Sequence, residues 1–120
     1  MMRIALAGLA VLAAVAGIAS PRAGAGTSTR SLVGTVGPED TIVLSSNGHR
    51  VSALKAGAYT ITVRDKASDH DFHLTGPGVN KTTSVGGTGT VIWHVTLRKG
   101  TYKFICDPHA TFMKGSFTVT

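Results

Sequence analysis

Beyond residue 30, apolar and polar residues alternate in short runs: Ser31 to Val36, Thr41 to Ser45, Ala58 to Asp65, Asp71 to Thr75, Thr90 to Leu97, Thr101 to Ile105 and Lys114 to Thr120. A period of two marks a strand with one buried face. The breakers Gly37-Pro38, Asn47-Gly48, Gly57, Gly76-Pro77-Gly78 and Gly100 supply the turns between them. No segment past residue 25 carries a helical period. Gly76 to Gly89, rich in Gly and Thr, is too long for a tight turn and either holds a short strand over Lys81 to Val85 or is mobile. About seven to eight strands in a small chain predict an all-β fold, an antiparallel β-sandwich.

Two of these strands share a frame. Leu54-Lys-Ala-Gly57-Ala-Tyr59-Thr-Ile61-Thr-Val63 returns as Leu97-Arg-Lys-Gly100-Thr-Tyr102-Lys-Phe104-Ile-Cys106. In each copy a glycine accepts an unusual backbone angle, and Tyr, Ile or Phe, and Val or Cys then point to one face. The tyrosines are core markers whose hydroxyls brace the corners between sheets. The repeat also predicts that Cys106 ends a strand on the inward face, where the first copy has Val63.

The first 25 residues follow another pattern. Arg3 precedes an unbroken small and apolar run from Ile4 to Ala19, and Ala23-Gly-Ala25 offers a small-residue cleavage site. That is a secretory signal peptide over residues 1–25, too short for the roughly 20 apolar residues of a spanning helix. Residues 26–30 form a flexible tail, and residues 31–120 one domain. Export to the periplasm or the extracellular side follows, with no membrane span after cleavage. Maturation lowers the formal charge from +6 to +4, and the remaining Lys and Arg are scattered. Nothing resembles a nucleic-acid groove, and a monomer is expected.

Cys106 is the one cysteine, so no disulfide supports this exported domain and the thiol needs another explanation. In Cys106-Asp-Pro-His109-Ala-Thr-Phe-Met113 a thiolate, an imidazole and a thioether share one turn, a donor set that copper prefers over calcium or magnesium. A fourth ligand must come from a neighbouring strand. His49 lies in a turn and His94 alternates with Trp93, which is expected inside. In Asp69-His70-Asp71-Phe72-His73-Leu74, strand alternation groups His70 with the core residues Phe72 and Leu74 and turns Asp71 and His73 to solvent. His70 is therefore the expected partner of Cys106.

Gly100-Thr-Tyr-Lys-Phe-Ile-Cys106-Asp-Pro-His109, then Met113 and Gly115-Ser-Phe-Thr-Val, resembles the copper-binding C-terminal motif of cupredoxins, closest to the plastocyanin branch. The resemblance implies a Greek-key sandwich and one mononuclear type 1 (blue) copper. Cys106, His70 and His109 would form a trigonal set with Met113 as weak axial ligand. It also implies electron exchange with redox partner proteins and no enzymatic turnover, since a filled site leaves no position for a substrate. His109, beside Ala110 and Phe112, would be the edge through which electrons leave. Two departures stand out. His109 to Met113 is one residue shorter than in plastocyanins, and Asp71 replaces an Asn that in the family bonds to the residue after the cysteine, here Asp107. The two carboxylates would then share a proton or splay apart. Two other functions fit the same fold, a copper carrier or sequestering protein and a non-redox binding module. The first lacks a second Met/His cluster, and the second leaves Met113 unexplained, because zinc sites rarely use methionine.

Overall fold

The computed structural model describes residues 28–120 together with Gly17. Apart from Gly17, the expected signal peptide and the start of the expected tail lie outside the described residues. Ten strands follow in order: β1 Arg30–Val36, β2 Ile42–Ser46, β3 His49–Arg50, β4 Ala53–Leu54, β5 Gly57–Asp65, β6 His73–Gly76, β7 Val79–Thr82, β8 Gly89–Leu97, β9 Gly100–Ile105 and β10 Lys114–Val119. They form two five-stranded sheets, β3-β2-β1-β5-β8 and β4-β10-β9-β6-β7. The count exceeds the expected number because β3 and β4 are two-residue pieces too short to show alternation.

Most pairs are antiparallel, but β1 runs parallel to β5 and β4 parallel to β10. The long span after Gly76 resolves into β7, a hairpin partner of β6 that begins two residues before the expected short strand, followed by an exposed loop. Inward residues of both sheets, among them Leu32, Ile61, Val63, Leu74, Leu97, Phe104 and Phe117, make one core together with Phe72, which directly precedes β6. Within it Phe72, just before β6, stacks on Phe104 of the neighbouring strand β9, with ring centroids 5.7 Å apart.

The repeated frame builds the same corner twice. Gly57 has φ +148° and Gly100 +146°, a region that disfavours side chains. The hydroxyl of Tyr59 donates to the Lys55 carbonyl at 2.6 Å. That of Tyr102 lies 3.0 Å from the Pro77 carbonyl and accepts the Arg98 N–H at 2.9 Å. Both rings are buried. The second copy runs its inward parity through Tyr102 and Phe104 to Cys106, which has no exposed surface.

Candidate metal centre

Cys106 leaves β9 and opens a one-turn 3-10 helix over Asp107–His109, with Pro108 presetting the backbone of its first turn. The loop then closes on itself. Cys106 N–H donates to the Met113 carbonyl at 3.0 Å, while the N–H groups of Phe112 and Met113 donate to the His109 carbonyl at 3.1 and 2.8 Å. Met113 is buried at the foot of the loop, 1% exposed. A spacing one residue shorter than expected thus still returns the methionine to the interior, because the helical turn takes up the chain.

His70 reaches the same place from the segment before β6, the strand paired with β9. Its Nε2 is 3.0 Å from the Glu39 carbonyl, a partner that can only accept, so Nε2 carries the proton and the Nδ1 lone pair points inward. Nδ1 of His70 lies 3.1 Å from Nδ1 of His109 and 3.7 Å from Sγ of Cys106, and Sγ is 3.5 Å from Nδ1 of His109. The ligand atoms of these three residues all lie within 4.8 Å of one another.

Those separations fit a bound ion. Nitrogen at about 2.0–2.1 Å and sulfur at about 2.3 Å from a metal, with angles of about 98–120°, place donors about 3.1–3.8 Å apart. Two nitrogen lone pairs and a sulfur facing one another need a cation or a proton between them. Thiolate with two imidazoles is a donor set that copper favours, and the group can hold a single copper ion. The cysteine is not ionised by its surroundings: burial pushes its thiol up, only partly offset by the N–H groups of Asp71 and His109. An incoming metal must displace that proton.

Strand parity misplaced Asp71. β6 begins at His73, so residues 70–72 precede the ladder and alternation does not govern them. Asp71, expected in solvent, is 2% exposed. Its Oδ1 accepts the Asp107 N–H at 2.5 Å and its Oδ2 accepts the Thr82 hydroxyl at 3.1 Å. Burial, and then the Asp107 carboxylate, raise the Asp71 carboxyl above the usual carboxylate range. The hydrogen bond from Asp71, and then His73, lower Asp107. Asp71 is thus the first of the pair to take up a proton as pH falls, and Asp107 the last.

His73, also expected in solvent, is half-buried. Its Nδ1 lies 3.0 Å from both Asp107 oxygens and its Nε2 2.7 Å from the Asn80 Oδ1, so the imidazole bridges two acceptors. The Asp107 carboxylate is the main cause of its raised pKa. The sequence carried no signal for Glu39, which acts through its backbone carbonyl. Asn80 and Thr82, on β7, become visible only once the β6–β7 hairpin is paired. His49 is exposed, and His94 is exposed and bonded to Thr60 at 3.3 Å.

Among known proteins, residues 29–120 match a family described as copper binding proteins, plastocyanin/azurin family. Solved structures of the same fold include the copper protein rusticyanin, 18% identical over 77% of this chain and 78% of that one with a TM-score of 0.58. Rusticyanin from Thiobacillus ferrooxidans is 19% identical over 77% of each chain, with a TM-score of 0.53. An oxidised amicyanin variant is 18% identical over 75% of this chain and 82% of that one, with a TM-score of 0.50. No curated protein matches the sequence significantly.

Proposed function

We propose, from the premise that this chain belongs to the plastocyanin/azurin family of copper-binding proteins, that it is an exported blue-copper protein carrying single electrons between redox partners. The observation that carries this reading is the convergence of Nδ1 of His70, Nδ1 of His109 and Sγ of Cys106 within 4.8 Å. Copper supplies one-electron redox chemistry that no side chain here offers. His70, Cys106 and His109 would hold it, with the buried Met113 as a weaker fourth ligand. Each ligand is fixed by the chain around it: His70 by the Glu39 carbonyl, Cys106 and Met113 by the bond between their backbones, His109 by the helical turn.

Fixed ligands need little rearrangement when the ion changes charge, which favours fast transfer. His70, Cys106 and Met113 are buried and exclude water, leaving His109 as the ligand nearest solvent. Its ring packs against Phe112, which is 57% exposed, at 5.4 Å. That apolar edge is where we expect a partner to dock and the electron to leave. The N-terminal segment supports export, and no enzymatic role is proposed.

The test is to add Cu(II) to purified protein and record the visible spectrum. An intense charge-transfer band that Cys106→Ser abolishes supports the proposal, and a colourless protein overturns it. The electron self-exchange rate then separates a carrier of electrons from a carrier of copper, for which exchange is slow.

A further inference from the structure

The two sheets end in four edge strands. Three are short: β3 and β4 have two residues each and β7 has four, including Lys81. The fourth is β8, nine residues from Gly89 to Leu97 with neither proline nor a Lys, Arg, Asp or Glu. Long uncharged edges leave a row of unpaired N–H and C=O groups, which proteins ordinarily blunt with charge, proline or brevity. β7 shows the device, since Lys81 sits opposite the core residue Leu74 and so lies on the inward side of the hairpin. β8 shows none. Two large apolar residues are exposed along it, Val91 at 41% and Ile92 at 58%.

The edges of β7 and β8 bound a groove of about 350 Å³, lined by Asn80, Lys81, His94, Thr96 and Arg98 above the buried Val79 and Val95. Arg98 is held in place there. Its N–H donates to the Tyr102 hydroxyl at 2.9 Å, and its guanidinium packs over Gly78, where any side chain would displace it. Among the described residues neither Lys81 nor Arg98 has a carboxylate partner. The chain has six Asp and Glu, and all belong to the metal end. Asp65 and Asp71 are buried, Asp40 and Asp69 flank His70, Glu39 bonds to it, and Asp107 follows Cys106.

We infer that the groove takes up an extended acidic segment of a partner polypeptide, added as a strand to β8 with its carboxylates against Lys81 and Arg98. Strand addition satisfies the open backbone groups, and alternate side chains of the added strand face the groove. The guanidinium and ammonium supply charge-assisted hydrogen bonds to carboxylates. A second copy of this chain fits less well, because pairing β8 with β8 brings no carboxylate to the groove. The inference does not depend on copper.

Titration of the 15N-labelled full chain with hexaglutamate, followed by amide shifts at low and high salt, tests this. Shifts confined to Val79–Lys81 and His94–Arg98, lost at high salt and about tenfold weaker in both Lys81→Gln and Arg98→Gln, support it. These variants leave the Tyr102 bond intact, because Arg98 makes it through its backbone. Absence of shifts, shifts spread over Lys55 and Lys99 as well, or the same β8 shifts on raising protein concentration without peptide would each overturn it. The last result would assign the edge to a second copy.

Discussion

Asp71 and Asp107 meet directly behind the cysteine: a buried carboxyl accepts the N–H of the residue that follows the thiol, at 2.5 Å. Where the resemblance leads one to expect an amide, this chain has an acid whose hold on a proton is strengthened by burial and by the neighbouring carboxylate.

Asp71→Asn keeps an oxygen to accept the Asp107 N–H but removes the acid. Where Asp71 is ionised, its negative charge close to the metal favours the more positive Cu(II), so losing it raises the reduction potential of the copper-loaded protein, most at the basic end of the pH range. A rise of tens of millivolts is expected, against about 59 mV for a tenfold change in a one-electron equilibrium. Redox titration of both proteins checks it, and an unchanged or lower potential removes the idea.

His73 and Asp107 predict a pH dependence of the metal-free fold. The His73 pKa is raised above 6.5, so its contribution is complete below about 6.5, its unfolded value, and is lost as pH rises through the folded value. The Asp107 pKa is lowered below 3.8, so that contribution is present above the ordinary value and is lost as pH falls through the folded one. Both therefore operate together only between these limits. Asp107 is 45% exposed, which screens the pair to less than about 1 kcal/mol. Thermal melts of apoprotein from mildly acidic to mildly basic pH should lose a few degrees, about 4–8 °C per kcal/mol in a domain of this size. His73→Gln should flatten that part of the curve.

Met113 serves packing and, under the proposal, the metal. Met113→Ala empties a buried site and should cost about 2–5 kcal/mol in denaturant unfolding of the apoprotein. Met113→Leu conserves volume and should cost less than about 1.5 kcal/mol. If the thioether is an axial donor, Leu also raises the potential, because losing a donor disfavours Cu(II) more than Cu(I). An unaltered potential in Met113→Leu would leave methionine a purely structural role.

The twin corners predict unequal costs for one substitution. Gly57 and Gly100 share nearly the same positive φ, so alanine is strained at both. Around Gly57 a new Cβ meets nothing within 4 Å, whereas at Gly100 it would stand 2.7 Å from Cγ of Pro77. Gly100→Ala should therefore destabilise more than Gly57→Ala by about 1 kcal/mol or more. Urea midpoints of the two variants, compared at equal m-value, check this.

Much of the fold could be read because half-buried strands repeat every two residues and their turns need glycine or proline. β1, β2, β5, β8, β9 and β10 fall within a residue or so of the alternating runs. What escaped was short or outside a ladder. β3 and β4 are two residues each, and β7 buries Val79 alone, so no alternation announces it. Asp71 was misassigned because the alternation rule was carried back past the point where β6 begins, whereas His73, inside the ladder, is partly covered because Asp107 and Asn80 bond to its ring.

By itself, then, the sequence determined a sandwich, an inward-facing Cys106 at the end of the second corner strand, and a copper-like donor set on the turn after it. All of these follow from local periodicity and from residues at most seven apart. Only the tertiary structure decided that His70 and not His73 stands 3.7 Å from Cys106. It alone brought in the carbonyl of Glu39, which orients His70 from 31 residues away. It also buried Asp71 beneath Asp107 and left β8 an open edge. These relations depend on which strands pair and where a ladder begins, and backbone groups that accept a bond from a distant side chain leave no mark in the identity of the residue that carries them.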